Sequence, residues 1–193
     1  SETVLAMIAV EELGIPLEKI KVVNTDTDVK PWDVGVHASR TSFVAGNSLL
    51  GAIKLIKEKL NKQAAKLLCT EKADFIYQNG SMFYNDKEIK IDKVVREMHF
   101  GLPNELCVVE YFYEPPSSFQ DKEFKGDVSG SYAFASQAIE VEVDTLTGKV
   151  KVLNVHVSQD VGRVLNPMAL QGQIEGGVAT GIGFALTEEM IYE

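Results

Sequence analysis

Residues 166–183 read Asn166-Pro167-Met168-Ala169-Leu170-Gln171-Gly172-Gln173-Ile174-Glu175-Gly176-Gly177-Val178-Ala179-Thr180-Gly181-Ile182-Gly183. Pro167 suits the first turn of a helix, where its missing N–H is not needed. Five of the chain's 15 glycines fall in this otherwise helix-like run. Each costs a helix roughly 1 kcal/mol against alanine. So many at close spacing predict that backbone, another helix or a cofactor comes close. Gln171 and Gln173 flank Gly172 with amides that both donate and accept, which suits a flat polar heterocycle better than a metal ion.

Upstream of that helix, Ile139, Val141 and Val143 alternate with Glu140, Glu142 and Asp144. The alternation predicts a strand with one wet and one buried face. Strands are expected over about 132–143 and 149–157, joined by the turn Asp144-Thr145-Leu146-Thr147-Gly148. Asn79-Gly80, centred in 75–84, predicts a hairpin. Val4, Leu5, Ile8, Ala9 and Leu13 keep helical spacing until Gly14 and Pro16 stop them. Leu49, Leu50, Ile53, Ile56 and Leu60 form the stripe of a helix that starts near Ser42 and runs toward Leu68. Short strands are expected at 20–23 and 108–113, and a short helix at 93–99 capped by Asp92. Residues 24–41, with Trp32, form a long polar loop of the kind that is usually functional or disordered. The order of elements predicts an α+β fold of helices packed on mixed sheets. It divides into two lobes, 1–70 with the loop and 71–193 with the hairpins, sheet and Gly-rich helix.

Composition narrows function. Hydrophobic content of 45% and charged content of 24% are those of a globular protein. A net charge of −9 argues against general nucleic-acid binding but not against a local cradle for one phosphorylated cofactor. Cys69 and Cys107 fit neither a metal-ligand spacing nor a disulfide framework, so a reduced, cytoplasmic setting is the default. They read most simply as buried small residues. The weakly polar run 176–186 is too short to span a bilayer. The chain opens at Ser1 directly into an amphipathic pattern and stops in what reads as a new strand, so it is expected to be a segment of something longer or one subunit of a split protein.

Four motifs in order carry a resemblance over nearly the whole chain. Ala38-Ser39-Arg40-Thr41-Ser42 with Gly46-Asn47 resembles a cofactor loop of the molybdenum hydroxylases, the xanthine dehydrogenase and aldehyde oxidase family. Gly172-Gln173-Ile174-Glu175-Gly176-Gly177, with Gly181-Ile182-Gly183 and 185–189 after it, resembles that family's second signature. Glu140-Val141-Glu142-Val143-Asp144 with Thr147-Gly148, and Asp160-Val161-Gly162 with Asn166-Pro167, match between them. The resemblance implies a piece of the molybdopterin-binding large subunit, with that domain's fold.

It also implies a division of labour. In the family the pterin's own sulfurs hold the molybdenum, and the protein binds, orients and polarises the cofactor. Matched residue by residue, Ala38 brings its backbone near the metal centre. Ser39, Arg40, Thr41 and Ser42 line the pterin and its dinucleotide tail, by analogy with bacterial members a cytosine dinucleotide, and Gln173 hydrogen-bonds the cofactor. Backbone N–H groups at a helix start suit a pyrophosphate. Ser1 matches the trailing edge of a further cofactor segment. The implied activity is oxidation of a purine, another N-heterocycle or an aldehyde-type carbon; an aromatic thioester (acyl-CoA) reductase is the alternative within the family. FAD and [2Fe–2S] clusters are expected on other domains or subunits, as are the remainder of the large subunit or a split companion chain. The family's general base is a glutamate in a Gly-Glu motif, and no Gly-Glu occurs here. The base is therefore expected outside this segment, Glu175 is not assigned to it, and the segment alone is expected to be inactive.

Plainer explanations compete at each position. Ser and Thr at a helix start are common caps. Arg40 serves a phosphate or an acidic side chain equally well. Gln173 could be a surface amide, and Glu175 a brace for its helix. A non-catalytic assembly module that kept the fold and lost the site is the second functional class. Ser39, His37 and Asp33 could be drawn as a hydrolase triad, but no nucleophile elbow accompanies them.

Overall fold

The computed structural model describes residues 2–24, 26–28, 30, 32–71 and 74–192. Ser1, singled out in the sequence, and Pro31 of the long polar loop lie outside them. The chain is α+β, with four α-helices and two antiparallel sheets among the described residues. It separates into two compact units, residues 1–130 and 131–193, described in turn. Sequence alone divided it after residue 70. The first hairpin instead packs with the long helix before it, so the compact units part at 130.

In the first unit, helix α1 (Glu2–Leu13) packs on helix α2 (Thr41–Leu67). Strands β1 (Ile76–Gln78), β2 (Ser81–Tyr84) and β3 (Lys87–Lys90) form an antiparallel meander, and helix α3 (Ile91–Phe100) follows at once. The core lies between α2, the meander and α3: Leu60, Ala64, Met82, Val94 and Met98 are all at most 3% exposed. Half-buried Ile56 of the predicted α2 stripe packs against it, while Leu50 stays 39% exposed.

The Asn79-Gly80 turn is present, with both residues at positive φ. β3 was not expected. Its Lys-Glu-Ile-Lys sequence buries Ile89 alone, and one apolar residue leaves no alternation to read. Asp92 is not the cap of α3. The helix starts earlier, at Ile91, after Lys90 at the cap position, and the Asp92 carboxylate accepts from the neighbouring Lys93 amide. The expected strand at 20–23 is irregular, following a 3-10 turn at Leu17–Lys19.

Residues 108–113 do not form a strand either. Two of its backbone carbonyls, and that of Leu106 just before it, are taken by α2 side chains: Ser48 Oγ donates to Tyr111 O at 3.0 Å, and Lys59 Nζ to Leu106 O and Val108 O at 3.2 and 3.3 Å. Lys59 also pairs with Glu105 at 3.0 Å. The Tyr111 ring lies where a side chain at position 51 would stand, so only Gly51 admits it, and Phe43 meets Tyr113 edge-on at 6.0 Å. The segment is thus strapped along α2 from Lys59 back to Phe43.

The second unit holds the long strands β4 (Phe134–Val143) and β5 (Val150–Asp160), paired antiparallel with a bulge at Glu140/Val141. Asp144 builds the turn between them, accepting from Thr147 Oγ1 at 2.7 Å and from the Leu146 amide at 2.9 Å. Those bonds, the Thr147 hydroxyl first, hold its carboxyl below the usual carboxylate value. Helix α4 (Pro167–Leu186) follows, with Pro167 in its first turn as expected. Asn166 is its N-cap, its Oδ1 accepting from the Ala169 amide at 3.0 Å. The predicted buried face of β4 is open: Ile139 is 54% and Val141 48% exposed. The alternation is real, but little within the unit covers it.

Candidate functional site

The loop before α2 is built by short-range bonds that its sequence spacing allows. Lys30 Nζ meets Asp33 Oδ2 at 2.7 Å, and Asp33 Oδ1 accepts from the Gly35 amide at 2.6 Å. These two bonds, Lys30's the larger, hold the Asp33 carboxyl below its ordinary value. Trp32 stands 81% exposed beside them. The chain then passes through two consecutive left-handed residues, Ala38 at φ 54° and Ser39 at φ 51°. Left-handed backbone is unfavourable for any residue with a Cβ. Two in a row, leading straight into a 27-residue helix, mark a loop shaped for something other than local stability.

The start of α2 is open in the electrostatic sense. Arg40 is its cap residue, no side chain caps it, and no acidic residue lies in its first turn. The first amides of a helix have no partner within the helix and carry partial positive charge. Arg40 makes no ion pair among the described residues. Its guanidinium donates to His37 Nε2 at 3.0 Å; since guanidinium can only donate, the imidazole accepts there. Thr41 Oγ1 is buried with no partner among the described residues. Ala38, Ser39 and Ser42 are exposed, and Arg40 and Thr41 half-buried. One turn on, Asn47 Nδ2 donates to Phe43 O at 2.7 Å. The His37–Arg40 and Lys30–Asp33 contacts were not foreseen. Their three-residue spacing was the available signal.

In the second unit the two glutamines part company. They lie two positions apart, about 200° around a helix of 3.6 residues per turn. Gln171 Nε2 donates to Glu175 Oε1 at 2.8 Å, so Glu175 braces the helix and Gln171 is engaged. Gln173 is exposed, and its amide has no partner among the described residues. Gly172 and Gly176 flank it with nothing within 4 Å of where a Cβ would stand. The half-buried row Leu170, Ile174, Val178 and Ile182 points elsewhere, toward the hairpin.

The remaining candidates separate clearly. His37, Ser39 and Asp33 form no hydrogen-bonded triad, since His37 is engaged by Arg40 and Asp33 by Lys30 and Gly35. Cys69 is exposed at the end of α2 rather than buried, with φ 49°. Cys107 is half-buried, and burial pushes its thiol up. Among the described residues no group of three or more His, Cys, Asp or Glu could hold a metal ion, and no helix is long and apolar enough to cross a membrane.

The first unit thus offers an uncapped helix start behind a left-handed loop, and the second an exposed glutamine on a glycine-lined helix face. The whole chain, residues 1–193, matches the model of the molybdopterin cofactor-binding domain, and the chain belongs to that family. It is 32% identical to the xanthine dehydrogenase molybdenum-binding subunit of Escherichia coli O157:H7, a match covering 100% of this chain and 25% of that protein. It is 31% identical to subunit gamma of the 6-hydroxypseudooxynicotine dehydrogenase complex of Paenarthrobacter nicotinovorans, covering 100% and 24%. Among solved structures, reconstituted CO dehydrogenase from Oligotropha carboxidovorans superposes with a TM-score of 0.82 at 26% identity, over 100% of this chain and 23% of that one. The chain thus spans about a quarter of the length of the relatives it matches.

Proposed function

We propose that this chain forms the cofactor-holding part of the large subunit of a molybdenum hydroxylase. The entry to α2 supports this most directly: Ala38 and Ser39 in left-handed backbone, an uncapped and acid-free helix start, Arg40 without an acidic partner, and the partnerless Thr41 hydroxyl. That donor set fits an organic phosphate or pyrophosphate. Thr41 and Ser42, with the first-turn amides, bind the phosphate-bearing tail. Arg40 neutralises it, Ala38 and Ser39 contribute backbone groups, and Gln173 hydrogen-bonds the cofactor near its metal. The protein's part is to bind and orient the cofactor, whose metal is carried by the pterin's own sulfurs. When bound, the cofactor supplies the two-electron oxidation of a substrate carbon, with oxygen from water.

The finer assignments rest on the family resemblance. The tail is a cytosine dinucleotide. The substrate is a purine or other N-heterocycle, or an aldehyde, favoured by relatives named for xanthine and 6-hydroxypseudooxynicotine. FAD and [2Fe–2S] clusters sit on other domains or subunits, and the assembly works in the cytoplasm. A relative named for CO dehydrogenase warns that the scaffold serves more than one substrate class. The second reading is a binding or assembly module that kept the fold and lost the reaction.

Metal and pterin analysis of the complex isolated with its partner chains decides between them. Stoichiometric molybdenum and pterin are expected, and an intact complex without either, from cells able to make the cofactor, refutes the proposal. Arg40→Ala should weaken cofactor retention roughly tenfold to a hundredfold, the range for a lost charge-assisted hydrogen bond. Gln173→Ala should do so by less.

A further inference from the structure

The second unit lacks a core of its own. Every buried hydrophobic residue among those described lies at or before Met98. In the second unit β4 is exposed along its whole length and α4 has no buried residue. α4 faces the apolar side of the hairpin without closing on it. Leu170 and Ile174 look across at Val155 and Val157 over a cavity of about 580 Å³, and Val178 and Ile182 at Val141 and Val152 over one of about 380 Å³. Protein interiors close such spaces with side chains. Among the described residues β4 and β5 pair in a sheet only with each other, so each strand keeps an unpaired outer edge. An isolated two-stranded ribbon is marginal in water.

We infer that the slot between α4 and the β4–β5 hairpin is the docking surface for another segment of the same large subunit, an apolar stretch that fills the slot while its backbone pairs with a free edge of the hairpin. The inference rests on the proposal that this chain is part of such a subunit. Three observations select this occupant. The matched subunits are about four times as long as this chain, so most of their residues lie in segments outside it. A second copy of the chain is opposed by a net charge of −9 on each. A small apolar ligand would leave the strand edges unpaired.

Thiol footprinting tests this. Ile139→Cys, in a chain with Cys69→Ser and Cys107→Ser, is treated with a maleimide, both as the isolated 193-residue chain and within the intact large subunit purified with its partners. Rates are normalised to the same thiol in urea. The expected result is a rate in the intact subunit slower by roughly tenfold or more, the order of a locally closed structure. Amide exchange of β4 and α4 in unmodified protein should slow in parallel, and it decides the matter if the variant does not fold. Equal rates in both states overturn the inference. So does slow labelling of the isolated chain, whether as a monomer, where α4 has closed the slot, or as a dimer, where a second copy fills it. Pterin content of the same preparations keeps the two ideas apart. A loaded subunit with an open slot refutes the docking surface alone, and a protected slot without pterin refutes the cofactor reading alone.

Discussion

Gly14→Ala should destabilise the first unit far more than Gly80→Ala, although both glycines sit at positive φ (57° and 73°). Placing a Cβ in left-handed backbone costs roughly 1–2 kcal/mol at either site. Either variant regains about 0.4–1 kcal/mol because alanine restricts the unfolded chain. The sites differ in what the new methyl meets. At Gly80 nothing lies within 4 Å, whereas at Gly14 it would stand 2.6 Å from Tyr77 O and 2.7 Å from Gln78 N, both backbone atoms of β1. Backbone cannot rotate aside, so α1 and the hairpin must separate. That also stretches the 2.7 Å bond from the Gly80 amide to Gly14 O. Overpacking of this kind costs about 1–3 kcal/mol, and a weakened buried hydrogen bond about 1 kcal/mol more. The net expectation is a loss of about 3 kcal/mol for Gly14→Ala against about 1 kcal/mol or less for Gly80→Ala. Urea unfolding followed by circular dichroism measures both. Equal losses, or a Gly14→Ala loss under about 1 kcal/mol, would refute the claim that α1 rests on the hairpin through this contact.

Asn166→Ala removes the cap of α4 and should cost about 1 kcal/mol, read as earlier melting of helical signal; no change would mean that the Ala169 amide finds another acceptor. Iodoacetamide should modify exposed Cys69 well before half-buried Cys107, whose raised thiol needs more alkaline solution; peptide mapping that finds the reverse order would overturn the burial assigned to them. The Asp33 clamp should respond to acid late. Its carboxyl is depressed by Lys30 and the Gly35 amide, so the bonded form is stable above the ordinary value of 3.8 and is lost only as pH falls below it. An NMR titration of the Gly35 amide with a midpoint at or above 3.8 would contradict that.

Much of the candidate site was legible before any coordinates, because its signals are local. A helix that starts at 41 behind a polar loop can be read from spacing, and so can a Gly-rich helix that starts at a proline. What spacing does not reveal is the conformation of Ala38 and Ser39. Neither residue type advertises left-handed backbone, and the rest of the unit must hold them there. Chemistry alone does not separate the two glutamines; the resemblance singles out Gln173, and the turn of the helix sets Gln171 against Glu175.

Residues 108–113 and 139–143 show the limit from the other side. Their apolar patterns are genuine, and the first is drawn out along α2 while the second is a true strand. Pattern states which face is apolar, since side-chain period follows from backbone geometry alone. It does not state what covers that face. For 108–113 the partners are Ser48, Gly51 and Lys59 of α2, 49 to 63 residues earlier. For the β4–β5 hairpin no partner within its own unit suffices. Helices, turns and caps were therefore determined by the sequence itself, through interactions spanning a few residues. Burial, and what covers each apolar face, were decided by tertiary structure, because they depend on contacts between residues that no local spacing connects.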